Sequence, residues 1–159
     1  MGMPKLVVFD LDFTLWNCGG LWVDCTDYPF HSDENGALSD SGGRLLRLYD
    51  EVPQILDRLE QDGISMALAS RTSQPSWAIE LLDLMEIRSR FSYQEIFPGS
   101  KVTHFENLAA KTGLTYAEML FFDDEHRNVR EIGAMGVHCI EVKSGVKLES
   151  FEQGMKLFG

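Results

Sequence analysis

The chain has 159 residues, 44% of them hydrophobic, with 14 basic against 25 acidic side chains and a net charge of −11. That length suits one domain able to bury roughly 70% of its unfolded surface, and the ordinary composition excludes collagen-like, coiled-coil and wholly disordered chains. The acidic excess excludes a nucleic-acid or anionic-membrane binder, because either needs a positive footprint, and it means that any phosphate site needs a metal or local lysines.

Lys5 to Asp10 is a short apolar run ending in an acid and is predicted to be a strand buried on both faces. Residues 16–49 hold five glycines and many Asp and Ser, with Trp16 and Trp22 at the start, and are predicted to be an irregular flap with at most a hairpin. Val52, Ile55, Leu56 and Leu59 then recur at helical spacing, with Asp50 as the expected cap, Pro53 in the first turn and Gly63 as the stop. A strand is expected at 64–69, a helix at 76–85 and a brief strand at 95–97. A helix follows at 101–112 with Gly113 behind it, then a strand at 119–122. A short helix over 128–135, a strand at 137–142 and a helix from Leu148 to Phe158 complete the alternation. Such alternation implies a three-layer, Rossmann-like α/β fold, a parallel sheet with helices on both faces. Residues 1–159 are expected to form a single domain with the flap and no cap domain.

No apolar run approaches the ~18 residues of a membrane span, Met1 to Leu6 lacks a signal-peptide core, and Leu6 stands where a myristoylation motif wants Ser or Thr. Cys18, Cys25 and Cys139 are odd in number and show no CxxC spacing, so reduced thiols in a cytoplasmic protein are expected.

In parallel sheets ligands bind beyond the carboxyl ends of the strands. Those ends carry Asp10-Leu-Asp12-Phe-Thr14, Ser70-Arg71-Thr72, Lys101 and Asp123-Asp124. Any one alone reads as turn chemistry. As a set they are harder to dismiss, because each like-charge carboxylate pair at ~4 Å costs about 4 kcal/mol at an effective dielectric of ~20 unless a cation lies between them. Oxygen ligands without His or Cys point to a hard cation, and Mg2+ is the natural choice because it keeps sites for water and phosphate oxygens. A strand-end carboxylate beside it can attack phosphorus and form an acyl phosphate.

In that order, Asp10-x-Asp12-x-Thr14, Ser70, Lys101 and Asp123-Asp124 resemble the haloacid dehalogenase superfamily of phosphohydrolases, and the surrounding segments 9–16, 69–73, 98–106 and 121–125 resemble its magnesium-dependent phosphatase-1 branch. The resemblance implies Asp10 as a nucleophile that becomes phosphorylated and as one of the Mg2+ ligands. It implies Asp12 as the acid that protonates the leaving oxygen and then activates water, its main-chain carbonyl also ligating Mg2+. Thr14 would hold the loop and Asp12, and Ser70 and Lys101 would bind the transferring phosphate. Thr14 and Arg71 are grouped with them, although pairing with an outer acid suits Arg71 better. Asp124 is the preferred metal ligand because Asn128 follows at the usual spacing, with Asp123 behind it or acting through water. Phe13 departs from the Tyr that members often carry.

Only about 30 residues separate Ser70 from Lys101, and roughly 35 are left for the flap, too few for a folded lid. An uncapped site admits bulky ligands, so a phosphorylated small molecule or a phosphoprotein is the expected partner: phosphotyrosine, aryl phosphate or sugar phosphate, acted on by a monomer. Two rivals are a phosphoaccepting receiver-type signalling domain, whose acid pair sits on the first strand rather than the later one, and a non-catalytic scaffold, against which the intact Asp12 argues. His126 is expected to face solvent and His104 to sit on a helix surface. Trp16 and Trp22 are weighed equally as stacking surfaces for an aryl substrate and as support for the flap.

Overall fold

The computed structural model describes residues 2–159. Its main sheet is built from β1 (Leu6–Phe9), β6 (Ser65–Ser70), β7 (Tyr93–Ile96), β8 (Met119–Asp123) and β9 (His138–Glu141), in the order β7-β6-β1-β8-β9. All four pairings are parallel. Numbering the five strands by their order along the chain, the sheet runs 3-2-1-4-5. Receiver-type domains use the doubly wound order 2-1-3-4-5, so the topology removes that rival.

Strand β1 lies in the middle of the sheet, which is why Leu-Val-Val-Phe has no polar face and all four residues are fully buried. Alternate side chains go to opposite layers. Val7 and Phe9 join the cluster with α1 (Val52–Gln61), α2 (Pro75–Leu84) and α5 (Leu148–Lys156). Leu6 and Val8 join the one with α3 (Lys101–Thr112) and α4 (His126–Gly133). The α1 stripe Val52, Ile55, Leu56 and Leu59 is wholly buried, and each side chain contributes about 1.5–3 kcal/mol by leaving water.

Helix ends follow local chemistry. Ser100 caps α3 by accepting from the Val102 N–H at 3.1 Å, and Gly113 takes the left-handed conformation that closes it, at φ 73°. Asp50 does not cap α1. Glu51 holds that position without a side-chain cap, and its carboxylate instead accepts from the Leu148 N–H at 2.9 Å, capping α5 across the fold.

The flap is more ordered than its composition suggests. It is a four-stranded antiparallel sheet of β2 (Trp16–Cys18), β3 (His31–Ser32), β4 (Leu38–Ser39) and β5 (Leu45–Leu48), in the order β2-β5-β4-β3. Its strands of two to four residues are too short for an alternation to register. The buried carboxylate of Asp40 holds the β4–β5 turn together, accepting from the backbone of Asp27, Gly42 and Arg44 and from the Arg44 guanidinium at 2.8–3.0 Å. Burial alone would raise its pKa, but these donors outweigh burial and hold it at about 2. Tyr28 of the flap stacks on Trp77 of α2 with centroids 5.0 Å apart, and Phe30 meets the same indole edge-on. Among the described residues no helix is long and apolar enough to cross a membrane.

Candidate active site

The carboxyl ends of β1, β6 and β8 and the start of α3 open into one pocket of about 200 Å3, lined among others by Asp10, Asp12, Ser70, Arg71, Lys101 and Asn128. The Asp10 backbone N–H still bonds to Phe122, at 3.0 Å, so this residue is fixed by the sheet itself. The chain then turns sharply, with Leu11 O accepting from Thr14 N and Leu15 N at 3.1 and 2.9 Å. The turn puts Phe13 at φ 62°, a costly conformation for a non-glycine residue. Phe13 is held there by Phe13 N to Trp16 O (2.8 Å) and Gly145 N to Phe13 O (3.0 Å).

That turn brings the fully buried Thr14 hydroxyl back to Asp10 Oδ2 at 3.0 Å. Thr14 therefore bonds to Asp10, where a bond to Asp12 was expected. Lys101, 1% exposed, donates to Asp10 Oδ1 at 2.8 Å and to Asp123 Oδ2 at 2.6 Å. Burial alone would lower its pKa; the two carboxylates raise it above the ordinary lysine value. Asp123, fully buried, also accepts from Glu125 N and from Asn128 Nδ2. Arg71 pairs with Glu125 at 3.4 Å at the pocket rim, the outer-acid arrangement, while still lining the cavity.

Asp12 stands apart from the carboxylate cluster. Its Oδ1 accepts from the Trp16 indole N–H at 2.8 Å and from the Val23 backbone N–H at 2.9 Å. Burial pushes its pKa to about 7; the Trp16 and Val23 hydrogen bonds oppose that shift and the Asp10 charge adds to it. Trp16 is fully buried, so it cannot stack on a substrate, whereas Trp22 is 53% exposed at the pocket mouth. His126 is exposed and pairs with Glu141, as expected.

His104 overturns its sequence expectation. It is fully buried, stacks on Phe97 at 4.1 Å, and places its Nε2 2.9 Å from both Ser70 O and Phe97 O. It thus ties the loop after β6 to the loop before α3. The signal was available in its i+3 spacing from Lys101, which sets both on one helix face.

Asp10, Asp123 and Asp124 each offer a carboxylate oxygen within 4.8 Å of the others, and the group contains no His or Cys. Asn128 Oδ1 is buried beside them without a partner. Burial first, and then the Asp10 charge, push Asp123 and Asp124 well above the usual carboxylate range. Oxygen donors that repel one another, with an unfilled amide oxygen alongside, fit a hard divalent cation.

The raised carboxylates set the direction of the pH dependence of the metal-free protein, against the opposing effect of the buried His104, whose pKa burial lowers. Asp12, Asp123 and Asp124 bind protons more tightly folded than unfolded, so stability declines as pH rises from about 4 through neutrality. In chelator, the Tm is expected to fall by roughly 5 °C between pH 5 and pH 8, and Mg2+ should raise it more at pH 8 than at pH 5. Asp124→Asn should flatten the slope and shrink the metal effect. Calorimetry showing equal Tm values in chelator at both pH values would contradict this.

The profile of the Acid Phosphatase family matches residues 2–159. Human Magnesium-dependent phosphatase 1 is 46% identical over 157 residues, covering 98% of this chain and 88% of the relative. A HAD-like hydrolase superfamily protein of Schizosaccharomyces pombe is 38% identical over 162 residues, covering 93% and 92%. Among solved structures, a HAD-superfamily hydrolase from Ehrlichia chaffeensis has a TM-score of 0.71 at 13% identity, covering 99% of this chain and 98% of that one. The phosphatase-containing N-terminal part of a Bacteroides fragilis protein, solved with Mg, gives 0.71 at 16% identity over 99% of this chain and 41% of that one. The two structural likenesses bear on the fold.

Proposed function

This chain belongs to the Acid Phosphatase family, and we propose that it is a magnesium-dependent phosphomonoesterase that passes the phosphoryl group through Asp10. The observation that carries the reading is a strand-end carboxylate held on one oxygen by Lys101 and on the other by Thr14, in a pocket shared with Asp12 and Ser70. Each carboxylate oxygen keeps a second lone pair, so both hydrogen bonds orient Asp10 without silencing it as a nucleophile.

Asp10, Asp124 and the main-chain carbonyl of Asp12 would hold Mg2+, with Asp123 behind them, bonded to Lys101 and Asn128. When bound, the ion supplies positive charge that lets the carboxylates coexist and balances the phosphate. The chain's own residues do the rest. Lys101 and Ser70 bind the phosphoryl oxygens, with Arg71 at the rim. Asp10 forms a bond to phosphorus as the ester oxygen departs with the Asp12 proton. Asp12 then takes a proton from water, whose oxygen displaces the Asp10 carboxylate and releases inorganic phosphate. A group with a pKa near 7 suits both directions of that transfer.

We read residues 1–159 as one catalytic unit with its flap at about 16–49. The uncapped mouth suits phosphotyrosine, aryl or sugar phosphates, free or carried on protein. Three free thiols and a net charge of −11 suit a cytoplasmic monomer that avoids nucleic acid. The test is turnover of p-nitrophenyl phosphate, a phosphotyrosine peptide and a hexose phosphate, with Mg2+ or with chelator. Release of phosphate from at least one, lost roughly 100-fold or more in chelator, is expected. Equal turnover in both, or a lasting phosphoprotein with no phosphate released, would overturn the reading.

A further inference from the structure

We propose that Trp16 is a positioning residue: together with the Val23 backbone N–H, its indole N–H decides which oxygen of Asp12 carries the transferable proton. The proposal rests on the reading of Asp12 as the acid that protonates the leaving oxygen. Both groups bond to the same atom, Oδ1, at 2.8 and 2.9 Å. An indole N–H and an amide N–H donate and cannot accept. A proton on Oδ1 would therefore point at two donors. Oδ1 must stay the bare acceptor, and a proton on Asp12 is confined to Oδ2, the oxygen left for the leaving group.

The mount is rigid on both sides. Trp16 is fully buried, opens β2, and pairs with Leu48 of β5. Its backbone carbonyl also accepts from Phe13 N at 2.8 Å, so the indole is fixed relative to the Asp10–Asp12 turn itself. Next to Val23, Asp24 accepts from Ser73 N and Oγ at 3.1 and 2.9 Å. The flap is thereby tied to the loop that follows Ser70, and the second donor cannot drift from Asp12 without breaking that tie. The flap thus serves the proton transfer as well as bordering the pocket.

The test is kcat/KM for a series of aryl phosphates whose phenols span a range of pKa, with Mg2+ saturating. It compares the native protein, Asp12→Asn, Trp16→Phe, and a protein in which Trp16 is replaced by its benzothiophene analogue, which keeps the ring shape but puts sulfur in place of the N–H. A good leaving group needs little protonation and a poor one needs much. The loss in both Trp16 variants is expected to be small for p-nitrophenyl phosphate and to grow to about tenfold or more for phenyl phosphate. The benzothiophene protein keeps the comparison valid if Trp16→Phe folds poorly. A uniform loss across the series, or a benzothiophene protein equal to the native one, overturns the proposal. If Asp12→Asn itself shows no dependence on the leaving group, the acid role of Asp12 falls and takes the proposal with it. A steep Asp12→Asn dependence beside flat Trp16 variants removes only the proposal.

Discussion

Asp10→Asn is expected to lose turnover by roughly 10⁴-fold or more while folding normally. The amide is nearly isosteric. Its oxygen can accept from Lys101, and its NH2 can donate to the Thr14 hydroxyl, which also accepts, so neither buried partner is orphaned. The substitution also withdraws one negative charge from the Asp10, Asp123 and Asp124 group, which should raise metal-free stability. What it removes is the proposed nucleophile: an amide forms no acyl phosphate. Native protein quenched in acid during turnover should carry one phosphoryl group on Asp10 by mass spectrometry, and the variant none. A variant within tenfold of native activity would remove Asp10 from the chemistry.

The second large effect is on Lys101→Met. Lys101 is the only cation that bridges Asp10 and Asp123 among the described residues, and all three groups are buried. Removing it leaves two carboxylates facing each other in a low-dielectric site, a loss of about 3–5 kcal/mol. In chelator, urea denaturation should show that loss at neutral pH and less of it at pH 5, where protons replace the missing cation. Saturating Mg2+ should recover part of the stability, but kcat should stay about 10²–10³-fold low, because the proposed donor to the phosphoryl oxygens is absent. Lys101→Arg is not a rescue, since a planar guanidinium does not fit the space of an ammonium at both distances. Stability within 1 kcal/mol of native in chelator, about the worth of one neutral hydrogen bond, would refute the account.

The layered sheet was legible because its signals are local. An unbroken apolar run at Leu6–Phe9 specifies a strand covered on both faces, and the α1 stripe specifies an amphipathic helix. The strand-end rule then located Asp10, Asp12, Ser70, Lys101 and the Asp123-Asp124 pair at one rim. Identity of residues was readable; partners were not. Thr14 bonding to Asp10, the buried His104 joining two loops, and Trp16 serving Asp12 all depend on turn geometry and on contacts distant in sequence. The flap was misjudged for a related reason: its β4–β5 turn is held by one carboxylate, Asp40, gathering donors from both sides, and composition alone reads such a segment as irregular.

Among the described residues no folded lid covers the entrance beside Trp22, Arg71 and Glu125, and the flap next to it packs on α2 through Tyr28 and Trp77. Under the proposed mechanism, water would reach the phosphorylated Asp10 through this mouth once the first product leaves. Alcohol acceptors would then compete for that phosphoryl group against water, so release of free phosphate is expected over transfer between organic molecules. A site sealed from solvent can choose its acceptor; the proposed one would leave the choice to water.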